Sequence, residues 1–182
     1  MKKSMVLVFA LMSLLFIGCG NKEGKGAVEG KTSDVSSDKL STVSFANLSI
    51  ILPAGWAYEE SESRLQAYSP DDVALVLIDD YSDVSWADFT KDPKKNLEDF
   101  LADDLSDYEY KVLKHGEEEM NGLKTFFVYY SYDTGETGTA ACYTYAINTG
   151  SGIALLTFDV LEDQLDSMKA ALGEIKKSVK AK

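Results

Sequence analysis

The sequence predicts an α+β fold, a central antiparallel β-sheet flanked by helices. Three observations carry this reading. Residues 73–81, VALVLIDDY, form a near-continuous apolar run, the pattern of a strand buried on both faces. Residues 107–133 alternate apolar positions on two arms around Asn121-Gly122, and residues 139–148 and 152–160 flank the turn signal NTGSG, as hairpins do. Leu161, Leu165, Met168, Leu172, Ile175 and Val179 recur in steps of four and three, which places them on one helical face.

Taken in order, the elements read β-β-β-α-β-β-β-β-α. VSFANLSIILPAGW is a first strand stopped at Pro53-Ala54-Gly55, and LQAYS is a second, closed by Pro70-Asp71-Asp72. The apolar run VALVLIDDY is the third. In SWADFTKDPKKNLEDFLADDL, Ser85 and Asp88 have the spacing of a capping box and Pro93 suits a first helical turn. Leu97, Phe100, Leu101 and Leu105 then share a helical face. Asn121-Gly122 is a preferred two-residue hairpin turn, because both of its positions need positive φ. Phe126, Val128, Tyr130 and Tyr132 alternate on the returning strand. TAACYTYAIN and GIALLTFDV pair across NTGSG. In the last helix Glu162 and Asp163 lie near the start and Lys176, Lys177 and Lys180 near the end, matching the helix dipole.

The N-terminus reads as an address. Lys2 and Lys3 precede a mostly apolar stretch from Met5 to Gly18, too short for a comfortable membrane span, which needs roughly 20 residues. Phe16-Ile17-Gly18-Cys19 resembles the bacterial lipobox, with Phe16 where leucine is usual. That resemblance implies cleavage before Cys19 and a diacylglycerol and fatty-acyl anchor on its thiol. An ordinary signal peptide with a chance cysteine is the rival reading. Residues 1–18 are thus a signal segment, and residues 19–41 an acylated cysteine and tether. The stretch GNKEGKGAVEGKTSDVSSDKLS has no aromatic residue and too little apolar surface to offset its ordering entropy. A coil of that length spans roughly 25 Å. Gly20 carries no aspartate-type retention signal, so a Gram-positive cell surface is the favoured location and a Gram-negative outer membrane the alternative. The domain proper runs over residues 42–182.

Composition narrows the function classes. The net charge is −12, and residues 1–18 hold two lysines and no acid, so the chain without them is more acidic still. Such a body repels nucleic acid and anionic lipid. One arginine, Arg64, stands against 17 lysines, which reads as codon usage rather than a site. Cys19 and Cys142 are the two cysteines; acylation of the first leaves the second unpaired.

Beyond these elements, the order of motifs resembles the PsbP/Mog1/DcrB-like family. The features are LSIILPAGW, the apolar third strand before a helix, the hairpin EEEMNGLKTFFVYYSY, and an amphipathic last helix after GIALLTFDV. The resemblance covers about residues 42–180. It implies an α/β/α sandwich around an antiparallel sheet. It also implies a non-enzymatic binding or accessory role, since members include photosystem II accessory proteins, a Ran GTPase partner and bacterial lipoproteins. It supplies no shared site residues.

Chemistry is sparse. His115 is the only histidine, and with Cys142 it is the one conceivable Cys–His pair, against the simpler reading of a buried cysteine and a strand-end histidine. No nucleophile elbow, phosphate loop or zincin motif occurs. Asp79, Asp80 and Asp83 could offer oxygens to a weakly held calcium or manganese ion, although their spacing also fits a solvated acidic face. Trp56, Tyr129, Tyr143 and Tyr145 are the candidate partner surface, the alternative being that both faces of the tyrosine-rich strands are core. The resulting expectation is a lipid-anchored, non-catalytic module. It has no cofactor beyond its acyl group, and its protein or small-molecule partner is unknown.

Overall fold

The computed structural model describes residues 31–33, 39–135 and 137–182. Its framework is an eight-stranded antiparallel sheet. The chain enters through β1 (Lys31–Ser33) and then forms β2 (Ser41–Phe45), β3 (Leu48–Leu52), β4 (Ala57–Glu60), β5 (Arg64–Tyr68) and β6 (Ala74–Tyr81). Helices α1 (Trp86–Phe89) and α2 (Pro93–Asp104) follow. Next come β7 (Tyr110–Met120), β8 (Leu123–Asp133), β9 (Thr139–Asn148) and β10 (Ile153–Leu161). A 3-10 turn at Glu162–Gln164 leads into α3 (Leu165–Ser178), and β11 (Lys180–Ala181) ends the chain. The large sheet has the order β1-β4-β5-β6-β10-β9-β8-β7, and a small sheet has the order β11-β3-β2.

Three layers result. One face of the large sheet packs on α3 and the small sheet, burying Leu48, Ile50, Leu52, Leu156 and Ile175 completely. The other face packs on α1 and α2, around Leu97, Leu101, Val128 and Cys142. Burial on both faces explains why β6 reads as a continuous apolar run. The helix signals are used as expected. Ser85 accepts a hydrogen bond from the Asp88 amide, and Pro93 opens α2 behind the cap Asp92.

The structure differs from the sequence reading in five places. The first predicted strand is a hairpin, β2–β3, folded at Ala46-Asn47 with φ of 48° and 59°. The second, LQAYS, falls on β5, and an unpredicted strand, β4, precedes it and pairs with it. The single predicted helix is two, broken at Thr90–Asp92. The last helix begins at Leu165, and the chain beyond it returns as β11 beside β3. Within the expected tether, Lys31–Ser33 pairs with Tyr58–Glu60 and extends the large sheet by one strand. The expected signal segment 1–18, Cys19 and most of the tether lie outside the described residues. Among the described residues no helix is long and apolar enough to cross a membrane.

Candidate functional site

Alternation along β8 and β9 sends Phe127, Tyr129, Tyr143 and Tyr145 to the α3 side of the sheet, with Phe127 opposite Tyr145 and Tyr129 opposite Tyr143. Tyr129 and Tyr143 stack at 4.3 Å and 14°, and Tyr143 continues the row onto Tyr145 at 6.1 Å. α3 closes one end of this row. Lys176 sits 4.8 Å above the Tyr145 ring, bonds its hydroxyl at 3.3 Å and pairs with Glu118. Tyr145 is accordingly only 4% exposed. Beyond the helix the cover stops, and Tyr129 and Tyr143 remain half-buried, with Lys114 directly across from Tyr129 on the edge strand β7. Burial, the neighbouring Tyr129 and Glu118 hold the Tyr143 phenol above its ordinary value, so it stays a hydrogen-bond donor at neutral pH.

Of the four residues expected on a partner surface, the structure leaves Tyr129 and Tyr143 accessible. Trp56, 3% exposed, and Tyr145 belong to the core. Trp56 follows a turn that aims it inward, and Tyr145 lies under α3.

The opposite face carries the groups weighed for catalysis. Cys142 lies on β9 and His115 on β7, with β8 between them, so the two cannot pair directly. The Cys142 thiol is buried, bonded to Asp159 and pushed well above its ordinary value, chiefly by burial; it is a weak nucleophile there. Tyr132 donates to the same carboxylate at 2.6 Å. His115 Nε2 lies 3.3 Å from Glu98 on α2.

The three aspartates weighed for a cation do not form a site. Asp79 and Asp80 are consecutive on β6 and point to opposite faces. Asp79 Oδ1 instead accepts from Arg64 Nε at 2.5 Å, and Asp80 accepts from the Ser82 amide. Among the described residues no group of three or more His, Cys, Asp and Glu side chains could hold a metal ion.

What the sequence reading missed is the use of Arg64. This single arginine reaches from β5 to Asp79 on β6 and, through Nη2, to Asp104 at the end of α2 at 2.7 Å. Burial works against its charge, but the two aspartates hold it above its ordinary value. Around the triad lies a pocket of about 410 Å³ lined also by Tyr81, Asp83, Phe100 and Asp103. Only the rarity of arginine in the chain could have drawn attention to it.

Burial, offset in part by Arg64, pushes Asp79 from 3.8 up to about 6. The folded state then binds more protons than the unfolded chain between those values. Stability contributed through Asp79 therefore falls as pH rises from about 4 to about 6 and is flat above, by up to about 3 kcal/mol. Urea melts of wild type and Asp79→Asn across that range check it: wild type should lose up to that amount of stability relative to the variant as pH rises. A difference independent of pH would contradict it.

No protein-family model and no curated protein matches the sequence. Solved structures do. The cyanobacterial PsbP protein CyanoP from Synechocystis sp. PCC 6803 superimposes with a TM-score of 0.59 at 14% identity, covering 82% of this chain and 96% of its own. PA94 from Pseudomonas aeruginosa, a protein of unknown function, gives 0.49 at 12% identity over 79% of this chain and 97% of its own. LpqN, involved in cell envelope biogenesis of Mycobacterium tuberculosis, gives 0.38 at 14% identity over 83% and 89%. The first of these, with its antiparallel sheet and few flanking helices, establishes that the domain has the PsbP-like fold that its motifs resemble.

Proposed function

We propose that the protein is a lipid-anchored, extracytoplasmic accessory module that binds a partner through the open end of its tyrosine row. The observation that carries this reading is the stacked Tyr129–Tyr143 pair, left half-buried where the cover of α3 ends. Aromatic residues with a hydroxyl at one end are favoured in such interfaces, because they bury large rigid area at low entropic cost. The Phe16–Cys19 stretch supports the anchor, since two or more acyl chains hold a protein on a bilayer where one is marginal.

Two measurements test it. Expressed in bacteria, the wild-type chain should label with a clickable palmitate analogue and fractionate with membranes, whereas Cys19→Ala should lose both properties. A Cys19→Ala chain that still labels overturns the anchor. A photo-crosslinking residue at position 143 should capture a partner on living cells, and one at the sealed position 145 should not. Equal capture from both positions, or capture from neither, overturns the tyrosine surface.

A further inference from the structure

We infer that the layer formed by the small sheet and α3 is the face that the domain lays against an anionic lipid bilayer; this rests on the lipid-anchored reading above and fixes the orientation of the anchored domain. Its charge sets the layer apart. Residues 39–56 and 165–182, which make it up, hold six lysines against Asp166 and Glu174, a net side-chain charge of +4. Residues 57–164, which hold β4–β10, α1 and α2, carry 24 acids against seven bases, a net of −17 with His115 neutral. Moving Glu162 and Asp163, in the turn before α3, into the first count still leaves that layer at +2. The chain as a whole repels an anionic surface, so the sign of this one layer decides which side can face it. Pairing with the helix dipole accounts for Lys176 and Lys177 in the last turn of α3, but not for Lys169 or Lys182. Lys169, Lys180 and Lys182 are exposed, and among the described residues none of them is in an ion pair.

The same layer presents uncovered apolar surface. Leu40 is 69% exposed and Ile51 36%. With Pro53, Ala170 and Ala171 they line a groove of about 560 Å³ between β3 and α3. Thr42 pairs with Ile51, and Ser44 with Ser49, on the outer side of the small sheet, so that side is uncharged. Apolar side chains among lysines suit the boundary between headgroups and acyl chains. The apolar groups enter it, and the long lysine stems let their ammonium groups reach the phosphates.

Two arguments commit the layer to a bilayer. A second copy of this chain would bring the same positive surface against it, and like charges oppose that contact. The path of the chain also agrees. Leu40 lines the groove at the start of the domain. Upstream, β1 begins at Lys31, 12 residues beyond Cys19, a reach of at most about 40 Å. An anchor at Cys19 therefore keeps the domain close to the membrane.

The test places a nitroxide on the full acylated chain at Ile51→Cys or, as the control, at Asp99→Cys on the exposed side of α2. Cys142 is buried and its thiol held well above its ordinary value by that burial, so it is spared. On phosphatidylcholine vesicles containing about one-third phosphatidylglycerol, the label at 51 should lose about threefold or more of its collision rate with a water-soluble nickel complex, and the label at 99 should lose none. In pure phosphatidylcholine, and in Lys169→Glu/Lys180→Glu/Lys182→Glu, the protection at 51 should disappear while the chain still floats with the vesicles. An unchanged melting temperature verifies that the triple variant keeps its fold. A floating chain whose label at 51 stays in water, equal protection at 51 and 99, or protection that survives pure phosphatidylcholine or the triple variant overturns the inference and leaves the anchor standing. A chain that does not float, and that takes up the nitroxide at Cys19 without any substitution, overturns the anchor and the inference with it.

Discussion

Replacing Trp56 by alanine is expected to destabilise the domain by about 3–5 kcal/mol, a large share of what a domain of this size possesses. The side chain is 3% exposed and belongs to the core between the large sheet and α3. Its position is set by a tight turn. Gly55 adopts φ of +83°, and the Trp56 amide donates to the Pro53 carbonyl at 3.3 Å. A Cβ at Gly55 would lie 3.1 Å from Pro70 Cγ, so the turn is wedged against the loop before β6 and cannot swing to fill a hole. The cavity would remain, with its cost added to the lost transfer energy. Urea unfolding measures this as a lower midpoint at unchanged slope. A loss under about 1 kcal/mol would mean that the site collapses, and that the turn is not the rigid element described.

Trp56 also illustrates what a sequence can and cannot say. Pro53-Ala54-Gly55 marks the turn, but a tryptophan after a turn fits both an anchor and an exposed stacking surface, and only its burial decides. Signals that act locally were legible. Asn121-Gly122 forms its expected turn, with φ of 49° and 84°. Ser85 forms its cap, and Met168 and Ile175 bury the α3 face. The Ala46-Asn47 turn was hidden because alanine at positive φ is not a turn signal; the β2–β3 pairing on either side stabilises it. β1 and β11 were hidden because three and two residues are too few to show alternation, and their pairing is supplied by distant strand edges.

The candidate sites divide in the same way. The tyrosine row could be read from alternation, but which rings stay open depends on where α3 lies. The pocket joins Arg64, Asp79 and Asp104, and the arginine and the second aspartate are 40 residues apart in the chain. No spacing rule connects them. Asp79 and Asp83 were visible as acids, and the structure replaces a shared metal with an ion pair and a neighbouring pocket wall.

Gly152→Ala is expected to cost about 3 kcal/mol or more, at the upper end for adding one methyl group to a packed site. Gly152 closes the NTGSG turn, just before Ile153 pairs with Tyr81. A Cβ there would lie 2.5 Å from the Ser82 carbonyl oxygen, 2.6 Å from its Cα and 2.9 Å from its carbonyl carbon. All three are backbone atoms, so no rotamer change relieves the overlap. Neither segment is free to retreat. The Gly152 carbonyl accepts from the Thr149 amide and hydroxyl, both at 3.1 Å, while the Ser82 amide is held by Asp80 at 2.9 Å. Gly150, two residues earlier, is the internal control. It sits at φ of +84° with open space around it, so Gly150→Ala carries only the left-handed penalty, about 1–2 kcal/mol. Equal costs for the two variants would show that the close approach is not the constraint. The approach also bears on the pocket, because Ser82 leads directly into Asp83 on its wall. An alanine at 152 that still folds must push that segment outward.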